Sequence, residues 1–237
     1  MPVFEDLLVV QEHDTAADRL RHRRETLPEL ERLAAVKQAM ADVGASLEER
    51  GRVRDEVARR QQRLEDELAA VETKVAELDK RLYSGVVSAP RELQALQADI
   101  GSLKRRRSDL EDLVLEAMQE REPLDAEVSR LGDERAELEN EADQLGKAIA
   151  ETSEAIDSEL AAELEARTSA VAAIPEELLS QYERLRARLD GVGAARLVNG
   201  RCTGCHLSLP ATEVDRIKHE PPDAVVLCDQ CGRILVR

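Results

Sequence analysis

RLYSGVVSAPREL, Arg81 to Leu93, is the stretch on which the fold turns. Before it, apolar residues recur at alternating steps of three and four, from Leu33 to Leu82. After it the same rhythm starts again and runs from Leu93 to Ile156. Inside it the rhythm stops. Gly85 can take the left-handed backbone conformation that ends a helix. Ser88, Ala89 and Pro90 supply the cap and first-turn chemistry of a new one. A short turn between two long helices leaves them no arrangement except side by side and antiparallel.

The flanking series fit that reading. Upstream the seam is Leu33, Val36, Met40, Val43, Leu47, Arg50, Arg54, Val57, Gln61, Leu64, Leu68, Val71, Val75, Leu78 and Leu82, with 12 of 15 positions apolar. Downstream 15 of 19 are apolar, and the spacing never slips. This is a heptad seam, the stripe by which one helix grips another. With the turn centred on residue 87, residue i is expected to face residue 174 − i. Gly51 then meets Pro123 and Pro28 meets Gly146, so bends or breaks are expected near Pro28 and Pro123. The seam arginines (Arg50, Arg54, Arg107, Arg121, Arg135) are read as long stems lying over the stripe with their heads among acidic neighbours. The basic run Lys104 to Arg107 points all round its helix and reads as a solvated face.

Composition agrees. The 237 residues include three aromatics (Phe4, Tyr83, Tyr182), and 35% of the chain is charged, a poor basis for an ordinary globular core. The net charge of −16 disfavours general nucleic-acid binding, which needs a basic surface. The N-terminal sequence has no basic stretch or cleavage site, and no apolar run reaches the length of a membrane span, so a cytoplasmic protein without a membrane role is expected.

Near residue 170 the periodicity fades. A short helix is expected from Pro175, leading to GVG at Gly191 to Gly193, and then short β-like stretches. The expected organisation is a coiled-coil hairpin over 1–173 with its turn at about 83–90, a short helix and linker over 174–193, and a small domain over 194–237. All four cysteines lie in that last segment. CTGCH, Cys202 to His206, taken alone fits c-type haem attachment, a redox pair or half of a zinc site. The second pair, Cys228 and Cys231, follows after 22 residues and is itself followed by Gly232. Two C-x-x-C turns can point four thiolates at one ion, and segments so short and free of aromatics need metal binding to fold. Haem lacks an export signal and a placed axial methionine; a thioredoxin-like pair lacks a βαβ setting. Zinc is the reading, one structural ion, with Cys202, Cys205, Cys228 and Cys231 as ligands and His206 a surface residue.

RLYSGVVSAPRELQALQADI at the turn, with CTGCHLSLP and CDQCGRILVR at the end, resembles the bacterial C4-type zinc-ribbon family with an N-terminal coiled-coil hairpin. The resemblance covers essentially the whole chain and implies a mainly α fold with a small β ribbon, and the same four cysteine ligands. The last strand of that family often closes on an aromatic after RIL, where this chain has Val236 and Arg237. Some members are described as partners of an alternative sigma factor and of flagellar or secretion machinery, and the ribbon has also been treated as RNA-binding.

No phosphate-binding glycine loop or catalytic group is legible, and no small-molecule substrate is evident. The expectation is therefore a non-enzymatic zinc-binding adaptor or regulator that presents its ribbon to a protein partner. The alternative is a nucleic-acid-binding regulator, with Arg196, Arg201, Arg233 and Arg237 as the contacts. The ribbon's six basic residues against five acidic ones, and its lack of an aromatic for base stacking, weigh against that alternative.

Overall fold

The structure, a computed structural model, describes residues 2–237. Helix α1 spans Pro2–Glu25, α2 Pro28–Tyr83, α3 Pro90–Val171 and α4 Glu176–Arg188; then come β1 (Ala194–Val198), β2 (Arg201–Cys202), α5 (Ala211–His219) and β3 (Ile234–Val236). The fold is mainly α, a long antiparallel coiled-coil hairpin followed by a small β ribbon. Proline punctuates it. Pro2, Pro28 and Pro90 open helices, and Pro175 and Pro210 stand at N-caps. At a helix start the missing N–H would have had no partner anyway. The chain divides into two compact units, one of residues 33–144 and one of 1–32 with 145–237. The ribbon's unit therefore takes in α1 and the end of α3, beyond the boundary expected from sequence.

In the unit of residues 33–144, every buried residue of α2 and α3 is a seam position: Val36, Val43, Val57, Gln61 and Val75 on one helix, Leu96, Ile100, Leu110, Ala117 and Leu131 on the other. The turn carries Gly85 at φ +70°, and Val87 folds back into burial while Tyr83 and Val86 stay exposed. The carbonyl of Ala89 accepts the N–H groups of Glu92 and Leu93, both at 3.1 Å, which starts α3.

The register differs from expectation. Ion pairs across the helices join Arg50 to Glu127, Arg54 to Asp125, Arg60 to Glu120, Asp79 to Lys104 and Glu67 to Arg106. Their residue numbers sum to 177, 179, 180, 183 and 173, centred on 178 rather than 174. The shift is about one helical turn. Its physical reason lies in the seam. At 178 the two series match position for position, and each seam arginine faces an apolar residue: Arg50 meets Val128, Arg54 meets Leu124, Arg107 meets Val71, Arg121 meets Val57 and Arg135 meets Val43. No two cations meet across the stripe. The arginine heads turn outward to acids such as Glu127, Glu111 and Glu139, as the snorkelling reading requires.

The prolines behave differently from one another. The chain breaks at Thr26 and Leu27, ahead of Pro28. Through Pro123 the helix continues without a break. Pro123 is exposed, as is Gln119, whose carbonyl loses its intrahelical donor and can be hydrated instead. In the shifted register Pro123 lies opposite Asp55 rather than Gly51, so the two weak points do not coincide.

The ribbon's unit has two apolar cores on the two faces of one small sheet of order β2-β1-β3. Ala194 and Ile234 face a cluster with Leu7 and Val10 of α1 and Leu178, Tyr182 and Leu185 of α4. Their strand neighbours Ala195 and Leu235 face the other way, into a cluster with Cys202, Leu209, Ile217, Val226 and Cys228. This is the two-residue period of a strand buried on both sides.

Candidate metal centre

The centre is built from two matching turns. Asn199 (φ +50°) and Gly200 (φ +76°) form a two-residue hairpin loop between β1 and β2, with Val198 paired to Arg201. An Asn-Gly pair with both residues left-handed suits the twist of such a hairpin. It delivers Cys202 into the core. From there the N–H of Cys202 donates to the carbonyl of Leu207 at 3.1 Å, and His206 donates back to the carbonyl of Cys202 at 2.8 Å. The second turn repeats the pattern: Cys228 donates to Arg233 at 2.8 Å and Gly232 donates to Cys228 at 2.7 Å. In each turn the residue after the second cysteine is left-handed, His206 at φ +59° and Gly232 at φ +75°. His206 thus does the conformational work of a glycine, in a region where histidine is enriched among side-chain-bearing residues. That accounts for the haem-like CTGCH string without haem.

The four sulfur atoms lie within 4.8 Å of one another, with Cys202 and Cys228 buried and Cys205 and Cys231 half-buried. Cys202 and Cys231 are 4.0 Å apart at sulfur. A tetrahedral zinc site with Zn–S bonds of about 2.3 Å separates its sulfurs by about 3.8 Å, so the cluster fits zinc in both spacing and donor chemistry. Burial pushes the Cys202 thiol up and the Cys228 thiol up to about 12. Burial also opposes ionisation of Cys231, but donors from the Arg233 backbone and guanidinium outweigh it and bring that thiol down to about 7. A bound cation lowers the cost of ionising all four.

Arg233 is the centre's second-layer residue. Its guanidinium donates to the carbonyls of Val192 (2.9 Å) and Leu189 (3.1 Å), passing over Gly204. A Cβ at Gly204 would stand 2.6 Å from the Arg233 side chain and 3.0 Å from Ala195, so the middle of CTGCH has room only for glycine. The linker is held from the other side by Gln11, 6% exposed, whose Oε1 accepts from Gly193 (2.7 Å) and Ala194 (3.2 Å) while Nε2 donates to the carbonyl of Gly191 (2.9 Å). Beside it Asp14 accepts from Tyr182 (2.7 Å) and Arg167 (2.6 Å).

Of the four arginines expected as nucleic-acid contacts, three are engaged within the molecule. Arg196 forms a two-pronged ion pair with Glu5, Arg233 holds the linker, and Arg237 donates to the carbonyls of Ile217, Glu220 and Pro221 at 2.7–2.9 Å. Arg201 stands exposed on β2. Nothing in the spacing of Gln11, Asp14 or Tyr182 marks these roles in the sequence. The Asn199-Gly200 pair is the local signal in the sequence for the hairpin that leads into the first cysteine turn.

Comparison with known proteins agrees with this arrangement. Residues 10–190 match the model of the CT398-like coiled coil hairpin domain, and residues 201–235 that of the C4-type zinc ribbon domain. The uncharacterized protein Rv2229c of Mycobacterium tuberculosis is 32% identical over 234 residues, covering 98% of this chain and 94% of its own. A solved structure from Mycobacterium smegmatis superposes with a TM-score of 0.86 at 28% identity, covering 100% of this chain and 97% of that one. CT398 from Chlamydia trachomatis shares the fold with a TM-score of 0.68 at 22% identity, over 99% and 97% of the two chains. With both models matched in order and a relative similar over nearly its whole length, this chain belongs to the CT398-like coiled-coil hairpin family and ends in a C4-type zinc ribbon.

Proposed function

We propose that the protein is a non-enzymatic adaptor of a reducing compartment such as the cytoplasm, a helical hairpin whose ribbon, held by one structural zinc ion, is offered to a protein partner. The observation that carries this reading is how the ribbon spends its side chains. Its cationic groups at Arg196 and Arg233 fix the ribbon in place and Arg237 ties its end to its own loop, while Val198, Leu207, Val225 and Leu227 are 39–52% exposed. Exposed apolar groups on a rigid module favour protein contact. Four cysteines fill the positions of a tetrahedral zinc ion and leave none for a substrate. The histidines are dispersed: His13 pairs with Glu163 and His219 with Asp215, while His22 and His206 are exposed. Among the described residues no helix is long and apolar enough to cross a membrane.

The test is a tagged pull-down from the native cell, with and without nuclease, alongside a Cys228→Ser/Cys231→Ser variant. A protein partner that survives nuclease and disappears in the variant is expected. RNA or DNA enriched by the wild type and absent from the variant would replace the adaptor with the nucleic-acid reading, and Arg201 would then be the first residue to reverse.

A further inference from the structure

A groove of about 520 Å³ opens where the ribbon's last loop meets the helices. Most of its lining is apolar: Val3 and Phe4 of α1, Pro175 and Leu178 at the start of α4, and Pro222 and Val225 of the loop after α5. Gln181 and two exposed carboxylates, Glu177 and Asp223, stand among them, and among the described residues no cationic side chain lines the groove. Three other carboxylates of this unit are paired: Glu5 with Arg196, Glu183 with Arg167 and Glu213 with Arg216. Glu177 is in the first turn of α4, where an acid complements the helix dipole. Asp223 has no such role. It sits in a turn closed by the Ala224 N–H on the Pro221 carbonyl at 3.1 Å.

The walls are firm on both sides. Pro175 and Pro222 are rigid, and Arg237 holds the far wall through the carbonyls of Glu220 (2.9 Å) and Pro221 (2.7 Å). Five residues beyond Asp223 the chain enters the second cysteine turn at Cys228, so the position of that wall depends on the folded metal centre. A mainly apolar slot with two carboxylates and, among the described residues, no lining cation, on a chain of net charge −16, complements an apolar side chain that carries a cation next to it.

We propose that this groove docks a peptide segment of a protein partner in which a large apolar residue adjoins a lysine or arginine. The apolar side chain enters between Phe4 and Val225, and the cation meets Glu177 and Asp223. The proposal rests on the adaptor reading and names the chemistry of the partner that reading requires.

The test uses the zinc-loaded full chain, ¹⁵N-labelled, titrated with a capped hexapeptide alternating leucine and lysine. Two control peptides replace lysine by glutamate, or leucine by serine. Amide shifts at Val3, Phe4, Leu178 and Val225 are expected with the leucine–lysine peptide alone, and chelation of zinc abolishes them. Glu177→Gln/Asp223→Asn should weaken binding about five- to tenfold, the size expected of two exposed ion pairs. Val225→Ser should weaken it as well. These positions are exposed, so the variants keep the fold, as far-UV circular dichroism will check. Equal binding of the leucine–glutamate peptide, shifts centred elsewhere, or unchanged affinity in the double variant would each overturn the proposal. So would native-cell capture of a partner at wild-type level by Glu177→Gln/Asp223→Asn. In that case the adaptor reading still stands, whereas loss of nuclease-resistant capture by the wild type would remove both.

Discussion

The hairpin of residues 33–144 and the ribbon's unit hold themselves together by opposite means. In the hairpin, burial is spread along a repeating stripe, and the charged groups around it form exposed pairs such as Arg106–Glu67 and Arg60–Glu120. Pairs of this kind contribute little each. In the ribbon's unit a few buried polar residues make many bonds apiece: Gln11 holds the linker, Asp14 is 2% exposed and ties α1 to α3 and α4, and four thiols converge on one point. The lesson is one of replaceability. A seam position has many equivalents along the helix, whereas the linker glycine Gly193 has none, since a Cβ there would lie 2.8 Å from Tyr182.

The sharpest way to break that contrast is to remove zinc. Structural zinc in small modules is worth on the order of 10 kcal/mol or more of folding free energy. Chelation, or the Cys228→Ser/Cys231→Ser variant, should collapse the dispersed amide resonances of residues 194–237. Most of the far-UV helical signal should remain, because the seam does not use the metal. Loss of that signal in parallel would show that the two regions are not independent.

Asp14→Ala comes next. It leaves Tyr182, Arg167 and Arg186 without their shared acceptor, and removing one partner of a buried charge cluster costs about 3 kcal/mol. Thermal unfolding followed by Tyr182 fluorescence or near-ultraviolet circular dichroism reads the loss, which should be confined to the ribbon's unit. In the hairpin, Pro123→Ala restores a helix donor on an exposed face and should raise stability by about 1–3 kcal/mol. A drop in melting temperature would mean that the proline is needed for the local geometry of α3.

The smallest effect is expected at Glu5. The hydrogen bond from Arg196 holds its carboxyl below the ordinary value. Its contribution is therefore present above the unfolded carboxylate range and fades as pH falls through the lowered value. Stability measured from pH 7 to pH 3 should separate wild type from Glu5→Gln at the upper end and bring them together at the lower. A gap that widened on acidification would contradict the pairing.

Much of this could be read in the chain because much of it is local. The seam positions, the helix stop at Gly85, the restart at Pro90 and the four cysteines all declare themselves through spacing and residue type. The break at Pro28 did too. At Pro123 the helix does not break, because a proline's effect depends on whether the freed carbonyl can reach water, which is a matter of which way that face of the helix points. The register misled for a related reason: the loop can fold back, as Val87 does, and the pairing is decided by which seam residues meet, not by the midpoint of the turn. His206 lies on the surface, as its place after Cys205 suggests, yet its left-handed backbone closes the first cysteine turn as Gly232 closes the second.

By itself, then, the sequence determined the coiled-coil hairpin, the place of its turn and the two cysteine pairs of the candidate metal centre, since heptad spacing and paired cysteines express their physics within a few residues. Only the tertiary structure decided the register of the two helices, the fixing of the ribbon by Gln11, Arg196 and Arg233, and the groove between Phe4 and Val225. Each of these depends on which residues meet across long separations in the chain, and no local pattern records such a meeting.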